Sequence, residues 1–274
     1  MNKLLSNILI VVVIYKQKII ESNTIRSLII NNYLKDADIL VYDNSPYVQE
    51  IPELKDVKVI YKHDKLNLGV SKAYNYACRL GEKMNKEWIL IYDQDSFLPK
   101  NSLEAYLKAL RELSQGIFII APKLYCKSKL LSPCKYAFHR GFHLKAIDGG
   151  LIKIKNISLL NSGLLLNINA IKQVGYFDEN LFDYSDHDFI CRFSKKHNKA
   201  YIMDLNIQHS LSTYKNKNYV ETATRLNMLR NSTLYYSKKH RTLFPIIWLM
   251  LRSLKLSVLN KNFKYIAIAL FGLF

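Results

Sequence analysis

Glycine and proline are scarce in this 274-residue chain, nine and six respectively. Their scarcity excludes collagen-like and low-complexity architectures and leaves no linker-rich stretch between domains. Acidic residues are also short, 22 Asp and Glu against 40 Lys and Arg, for a formal net charge of +18. Cysteine is limited to Cys78, Cys126, Cys134 and Cys191, with no C-x-x-C spacing. That pattern fits reduced thiols in a cytosolic protein rather than a zinc site or a disulfide framework. No apolar run reaches the roughly 20 residues of a membrane-spanning helix. The N-terminal run Ile8–Ile14 has no small-residue cleavage site after it and is β-branched nearly throughout, so it reads as a buried strand and not as a signal peptide.

What is abundant is apolar and basic. Hydrophobic residues make up 49% of the chain, enough for a sizeable core. The charge is uneven: residues 191–274 hold 15 Lys and Arg and only two Asp and Glu, a surplus of 13. Mixed with these charges are the apolar stretches Leu243–Leu251 and Tyr265–Phe274. Such a segment either lies on an anionic membrane surface or packs as a helical pair on the main domain. No nucleic-acid-binding motif accompanies the charge, so a DNA or RNA partner is not expected.

Apolar runs alternate with helix-like stretches through the first half. Strands are expected at Ile8–Tyr15, Asp38–Tyr42, Val57–Tyr61 and Trp88–Tyr92, and helices at Ser22–Leu34, Val70–Met84 and Leu103–Leu113. This alternation predicts an α/β fold, a mainly parallel sheet with helices on both faces. Ser158–Ile168 reads as a strand or strand pair, and residues 1–240 as one domain followed by a helical extension, 241–274. In such sheets ligands sit beyond the carboxyl ends of the strands. Polar residues gather there: Tyr15, Asp43-Asn44, the stretch "HDKLNLG" and Asp93-Gln94-Asp95.

Two aspartates at i and i+2 after a buried strand can hold a hard divalent cation, Mg²⁺ or Mn²⁺; alternatively they cap a helix starting between Ser96 and Ser102. "NLGVSKAYN" (67–75) places a glycine and polar groups at a helix start, where free N–H groups favour a diphosphate. Asp43 either accepts hydrogen bonds from a nucleotide base or builds an Asx-turn. The acidic cluster Asp178, Glu179, Asp183, Asp186 and Asp188 offers a general base, with Asp178 and Glu179 expected as helix-start carboxylates. His209 is structural unless the fold returns it to Asp95, and Arg230 is an exposed helix arginine unless it reaches phosphate.

Taken in order, "VVVIY", "VYDNS", "NLGVSKAYN", "YDQDS", "NSGLLL", "GYFDENLFDYSDHD" and "RNSTLYY" resemble an inverting glycosyltransferase of family 2 with the GT-A fold, over about Asn7 to His240. The forms "DQDS" and "SG" are similar to its bacterial rhamnosyltransferase-like branch. The resemblance implies that Tyr15, Asp43, Asn67, Gly69, Lys72, Asp93 and Arg230 bind a nucleoside-diphosphate sugar, a dTDP- or UDP-sugar. It implies that Asp95 and His209 hold Mn²⁺ or Mg²⁺, and that Asp186 is the base that deprotonates a glycan or lipid-linked acceptor. The implied setting is bacterial surface-polysaccharide synthesis (capsule, O-antigen or lipopolysaccharide) on the cytoplasmic face of the inner membrane. Two departures stand out. The family's Glu-Asp pair is Ser185-Asp186 here, which keeps Asp183 and Asp188 in play as base, and the branch's Glu-Trp is Asp188-Phe189. The rival readings are another sugar-nucleotide enzyme, which lacks its glycine-rich loop in "YKQKIIES", and a non-catalytic sugar-nucleotide or membrane-binding protein.

Overall fold

The computed structural model describes residues 2–30, 37–51, 57–113, 116–210 and 218–273. A short helix, α1 (Asn2–Leu5), leads into β1 (Ile8–Ile14), whose seven residues are all buried. A strand with no polar face needs apolar cover on both sides, and β1 has it. Ile8, Ile10, Val12 and Ile14 face one core layer, and Leu9, Val11 and Val13 face the other.

The chain continues through α2 (Asn23–Ile30), β2 (Asp38–Asp43), β3 (Lys58–His63), α3 (Val70–Lys83) and β4 (Trp88–Asp93). The helix expected from Ser22 is described to Ile30, and its last positions, 31–34, lie outside the described residues. These four strands pair in parallel in the order β3-β2-β1-β4. Their register aligns the carboxyl ends, with Ile14 beside Asp43, Asp43 beside His63 and Val13 beside Asp93.

Beyond them lie β5 (Ser96–Phe97), α4 (Ser102–Glu112), β6 (Ile119–Cys126), β7 (Lys129–Ser132), β8 (Cys134–Ala137), β9 (Arg140–His143), β10 (Gly150–Lys153), β11 (Ile157–Ser158) and β12 (Leu165–Asn167). No helix starts at Ser96: that residue opens a two-residue strand, and the helix begins at Ser102. The stretch 158–168 contains the end of β11 and then β12, and Ile168 already belongs to α5 (Ile168–Val174). Next come α6 (Ser185–Lys196) and β13 (Lys199–His209). The main sheet runs β10-β13-β6-β12-β4-β1-β2-β3, and a small sheet, β11-β8-β9, stands beside it. Only a glycine fits between β4 and β6 at Gly163: its φ is +84°, and an added Cβ would lie 2.5 Å from Pro122.

Three helices close the chain, α7 (Tyr219–His240), α8 (Phe244–Leu259) and α9 (Lys264–Phe271). They share a small core of Ala223, Leu226, Leu249, Tyr265, Ile268 and Ala269. α8 also reaches the small sheet, where the Trp248 indole N–H donates to the Phe138 carbonyl at 2.9 Å. Its polarity is reversed. Ser253 and Ser257 face inward and are fully buried, while Ile247, Leu251, Leu254 and Val258 face outward. Among the described residues no helix is long and apolar enough to cross a membrane.

Candidate active site

Antiparallel pairing builds the centre of the site. β5 pairs with the end of β13, setting Ser96 opposite His209. His209 thereby returns to the two aspartates that follow β4. Asp93, Asp95 and His209 each offer a ligand atom, all within 4.8 Å of one another. His209 Nδ1 lies 3.5 Å from Asp95 Oδ1 and 3.0 Å from Ser96 Oγ. Ser162, of the "NSG" turn, braces the group: its Oγ accepts from the Asp93 N–H at 3.1 Å and lies 2.8 Å from Ser96 Oγ.

Asp93 also accepts from the Tyr74 hydroxyl at 3.3 Å. Its pKa is raised, first by burial and also by the charge of Asp186, against the opposing pull of His209 and Tyr74. Gln94, between the two aspartates, ties the ends of β1 and β4 together. Its Oε1 accepts from the Tyr15 N–H at 2.7 Å, and its Nε2 donates to the Tyr15 carbonyl at 3.2 Å. Two partly open carboxylates and one imidazole form a donor set that fits Mn²⁺ or Mg²⁺.

The acidic cluster sorts by partner. Arg225 forks onto both oxygens of Asp183. Asp188 is fully buried and meets Arg192 at 2.9 Å, Lys239 at 2.8 Å and His240 at 2.9 Å. Burial opposes its charge, but these three partners outweigh it and hold the carboxyl well below the usual range. Asp178 and Glu179 are not helix-start carboxylates. They lie in the loop between α5 and α6, where Asp178 pairs with Lys239 at 2.7 Å and Glu179 accepts from Asn75 at 2.8 Å.

Asp186 remains, in the first turn of α6, with no Lys or Arg partner among the described residues. Its Oδ1 accepts the His187 N–H at 2.8 Å, and the His187 ring is held by Ser158 at 2.6 Å. The charge of Asp186 acts on Asp93, Tyr74, Cys134 and Tyr136, so it lies within electrostatic reach of the metal-type group.

The other expected donor residues divide. Tyr15 stands exposed at the end of β1. Asp43 is fully buried and accepts from the Ser45 N–H at 2.8 Å, Gln49 at 2.9 Å and Tyr61 at 2.8 Å, so the Asx-turn is built and its oxygens are occupied. The neighbouring Asn44 Oδ1 is buried with no donor among the described residues. Gly69 caps α3 with φ +90°, and Phe182 packs against it, so the acidic loop covers that helix start. Asn67 takes a left-handed φ of +46°. Lys72 pairs with Asp64 at 2.8 Å and lines a separate cleft of ≈ 350 Å³ with Tyr42, Lys62, Tyr76 and Arg79. Arg230 is not brought to the site: its guanidinium donates to the Ala269 and Leu270 carbonyls at 3.2 and 3.1 Å, closing the end of α9. Sequence reasoning gave no role to Tyr74, Ser162 or Asp64. Each lies in a quoted stretch, Asp64 in "HDKLNLG", Tyr74 in "NLGVSKAYN" and Ser162 in "NSGLLL", but none was singled out there.

The family model described as "Glycosyl transferase family 2" matches residues 9–155. No curated protein matches the chain in sequence. Among solved structures, TarS of S. aureus (1–349) in complex with UDP-GlcNAc is 16% identical with a TM-score of 0.55, over 83% of this chain and 65% of that one. The mannosyltransferase PcManGT of Pyrobaculum calidifontis, in complex with GDP-Man and Mn²⁺, is 12% identical with a TM-score of 0.56, over 85% and 64%. Against a longer TarS structure, with a TM-score of 0.55 and 16% identity, 84% of this chain covers only 39% of that chain's length. At these identities the likeness is one of fold.

Proposed function

The chain belongs to glycosyl transferase family 2, and from that premise we propose that it moves a sugar from a nucleoside diphosphate to an acceptor hydroxyl with inversion at the anomeric carbon. The observation that carries the proposal is the sorting of the carboxylates: Asp183 and Asp188 are locked into ion pairs, and Asp186 is left without a Lys or Arg partner among the described residues, within electrostatic reach of Asp93. Asp186 takes the proton of the acceptor hydroxyl as that oxygen bonds to the anomeric carbon. The bond to the diphosphate breaks on the opposite face, so one displacement inverts the centre and needs no covalent intermediate. Asp93, Asp95 and His209 hold the divalent ion, which when bound supplies positive charge toward the leaving diphosphate. Tyr15, exposed at the end of β1, offers the nucleoside a contact, with Asp43 setting the turn at the neighbouring strand end. The donor is a dTDP- or UDP-sugar, with rhamnose the sugar the sequence motifs favour.

The acceptor is a glycan or a lipid-linked sugar presented at a membrane surface. The support is the outward apolar face of α8, with Arg241, Arg252, Lys255, Lys261 and Lys264 and no acidic residue from 241 onward. An apolar face ringed by one sign of charge suits an anionic bilayer, whereas a second copy would set like charges together. We therefore assign residues 1–240 to transfer and 241–274 to peripheral docking on the cytoplasmic face of the inner membrane.

The test is thermal stabilisation by UDP-, dTDP- and GDP-sugars with and without Mn²⁺, followed by turnover of Asp186→Asn. A metal-dependent shift with one nucleotide is expected, with transfer reduced by roughly 10²–10⁴ in the variant while donor binding is kept. Near-normal turnover in Asp186→Asn would sink its role as base.

A further inference from the structure

Beside the acidic loop three guanidiniums share a single carboxylate, Asp183. Arg140, exposed on β9, lies over the indole of Trp248 on α8, its guanidinium carbon 4.7 Å from the ring centroid. Arg252 stands four residues beyond Trp248, on the same face of the helix. Arg225, on α7, is the third. It forks onto Asp183, and its guanidinium carbon lies 5.4 Å from the Phe182 ring centroid. α7 and α8 pack through Leu226 and Leu249, the first adjacent to Arg225 and the second one turn before Arg252.

Arg225 thus touches Asp183, and Arg140 and Arg252 lie within electrostatic reach of Asp183 or Tyr184, just ahead of Asp186 in the chain. Asp183 is the one carboxylate among them, and Arg225 already takes both of its oxygens. Among the described residues neither Arg140 nor Arg252 has a hydrogen bond or an ion pair through its guanidinium. The setting of Arg252 is unfavourable for its charge: burial, then Arg225, with Arg140 adding, hold its pKa below the usual range against the pull of Asp183 and Tyr184. Cations that outnumber their carboxylates are arranged in advance for a further anion, and guanidinium groups suit the geometry of phosphate.

We propose that Arg140 and Arg252, backed by Arg225, form a phosphate site that holds the acceptor, so that its hydroxyl is delivered to Asp186. The proposal rests on the assignment of Asp186 as the base, and it names the acceptor's class: a phosphorylated one. A soluble sugar phosphate and a lipid-borne phosphate present the same group, and the outward apolar face of α8 runs along the same helix as Arg252.

Trp248 lies under Arg140, so its fluorescence follows binding directly. Inorganic phosphate and dodecyl phosphate are titrated separately into the full chain in EDTA, without nucleotide. A saturable change is expected, weakened roughly tenfold or more in Arg140→Gln/Arg252→Gln and less in the charge-keeping Arg140→Lys/Arg252→Lys. Tighter binding of dodecyl phosphate identifies a lipid-borne group, and equal binding a soluble one. No saturable response, or an equal one in the Gln pair, overturns the site. UDP and dTDP are measured with Mn²⁺ on the same proteins in EDTA-free buffer, and whichever binds wild type is expected to bind both variants alike. Failure of both nucleotides to bind wild type would remove the donor reading and leave the phosphate titration standing.

Discussion

The sheet hides its apolar residues, whereas helix α8 leaves many of its own exposed. β1 buries seven apolar residues in a row, and polarity begins only at its carboxyl end. α8 turns Ser253 and Ser257 inward and leaves Ile247, Leu251, Leu254 and Val258 outside. The sheet is stabilised by removing apolar surface from water. The α8 packing sets Leu249 in the core shared with α7 and α9, buries Ser253 and Ser257, and leaves apolar surface exposed. Asp188 joins the two regions, since it stands on α6 while Lys239 and His240 come from the end of α7.

Breaking that joint gives the largest expected effect. Asp188→Ala leaves Arg192, Lys239 and His240 around a buried gap and is expected to cost about 3–5 kcal/mol in urea unfolding. A cost under about 1 kcal/mol would mean that α7 is held by its apolar contacts alone. Next, Leu90→Ala in the sheet core is expected to cost about 2–5 kcal/mol, and Leu254→Ala on α8 to stay within about 0.5 kcal/mol. Equal costs would erase the contrast between the two regions.

Acid sharpens it further. The Asp188 carboxyl titrates below its unfolded value, so its contribution is complete above about pH 5 and is lost as pH falls through the folded pKa. Wild-type melting temperature should therefore fall in acid more steeply than that of Asp188→Asn. The smallest effect is expected at Ser257, whose buried Oγ has no partner among the described residues. Ser257→Ala removes that hydroxyl and should leave stability equal or raise it by about 0.5–1 kcal/mol, read by the same urea titration. A clear loss would show that the hydroxyl has a partner after all.

The four parallel strands were legible because each signal is local: a β-branched or aliphatic run, then polar residues. Asp93 and Asp95 stood out for the same reason. The link from His209 to Asp95 depends on a two-residue strand, Ser96–Phe97, too short to leave any periodicity. Arg230 misled because an arginine beside asparagine on a helix looks the same whether it faces a phosphate or, as here, the carbonyls closing another helix.

By itself the sequence determined the alternation of strands and helices, the polar rim of the sheet and the excess of positive charge, since these follow from residue type and near-neighbour order. Only the tertiary structure decided how the five carboxylates are partnered: Arg225, Lys239 and His240 reach Asp183 and Asp188 from more than 40 residues away, Glu179 meets the neutral Asn75, and Asp186 keeps no Lys or Arg among the described residues. It also decided which face of α8 turns outward. A helix whose apolar and small polar residues are interleaved carries two possible inner faces, and the packing of α7 and α9 selects the one lined with serine.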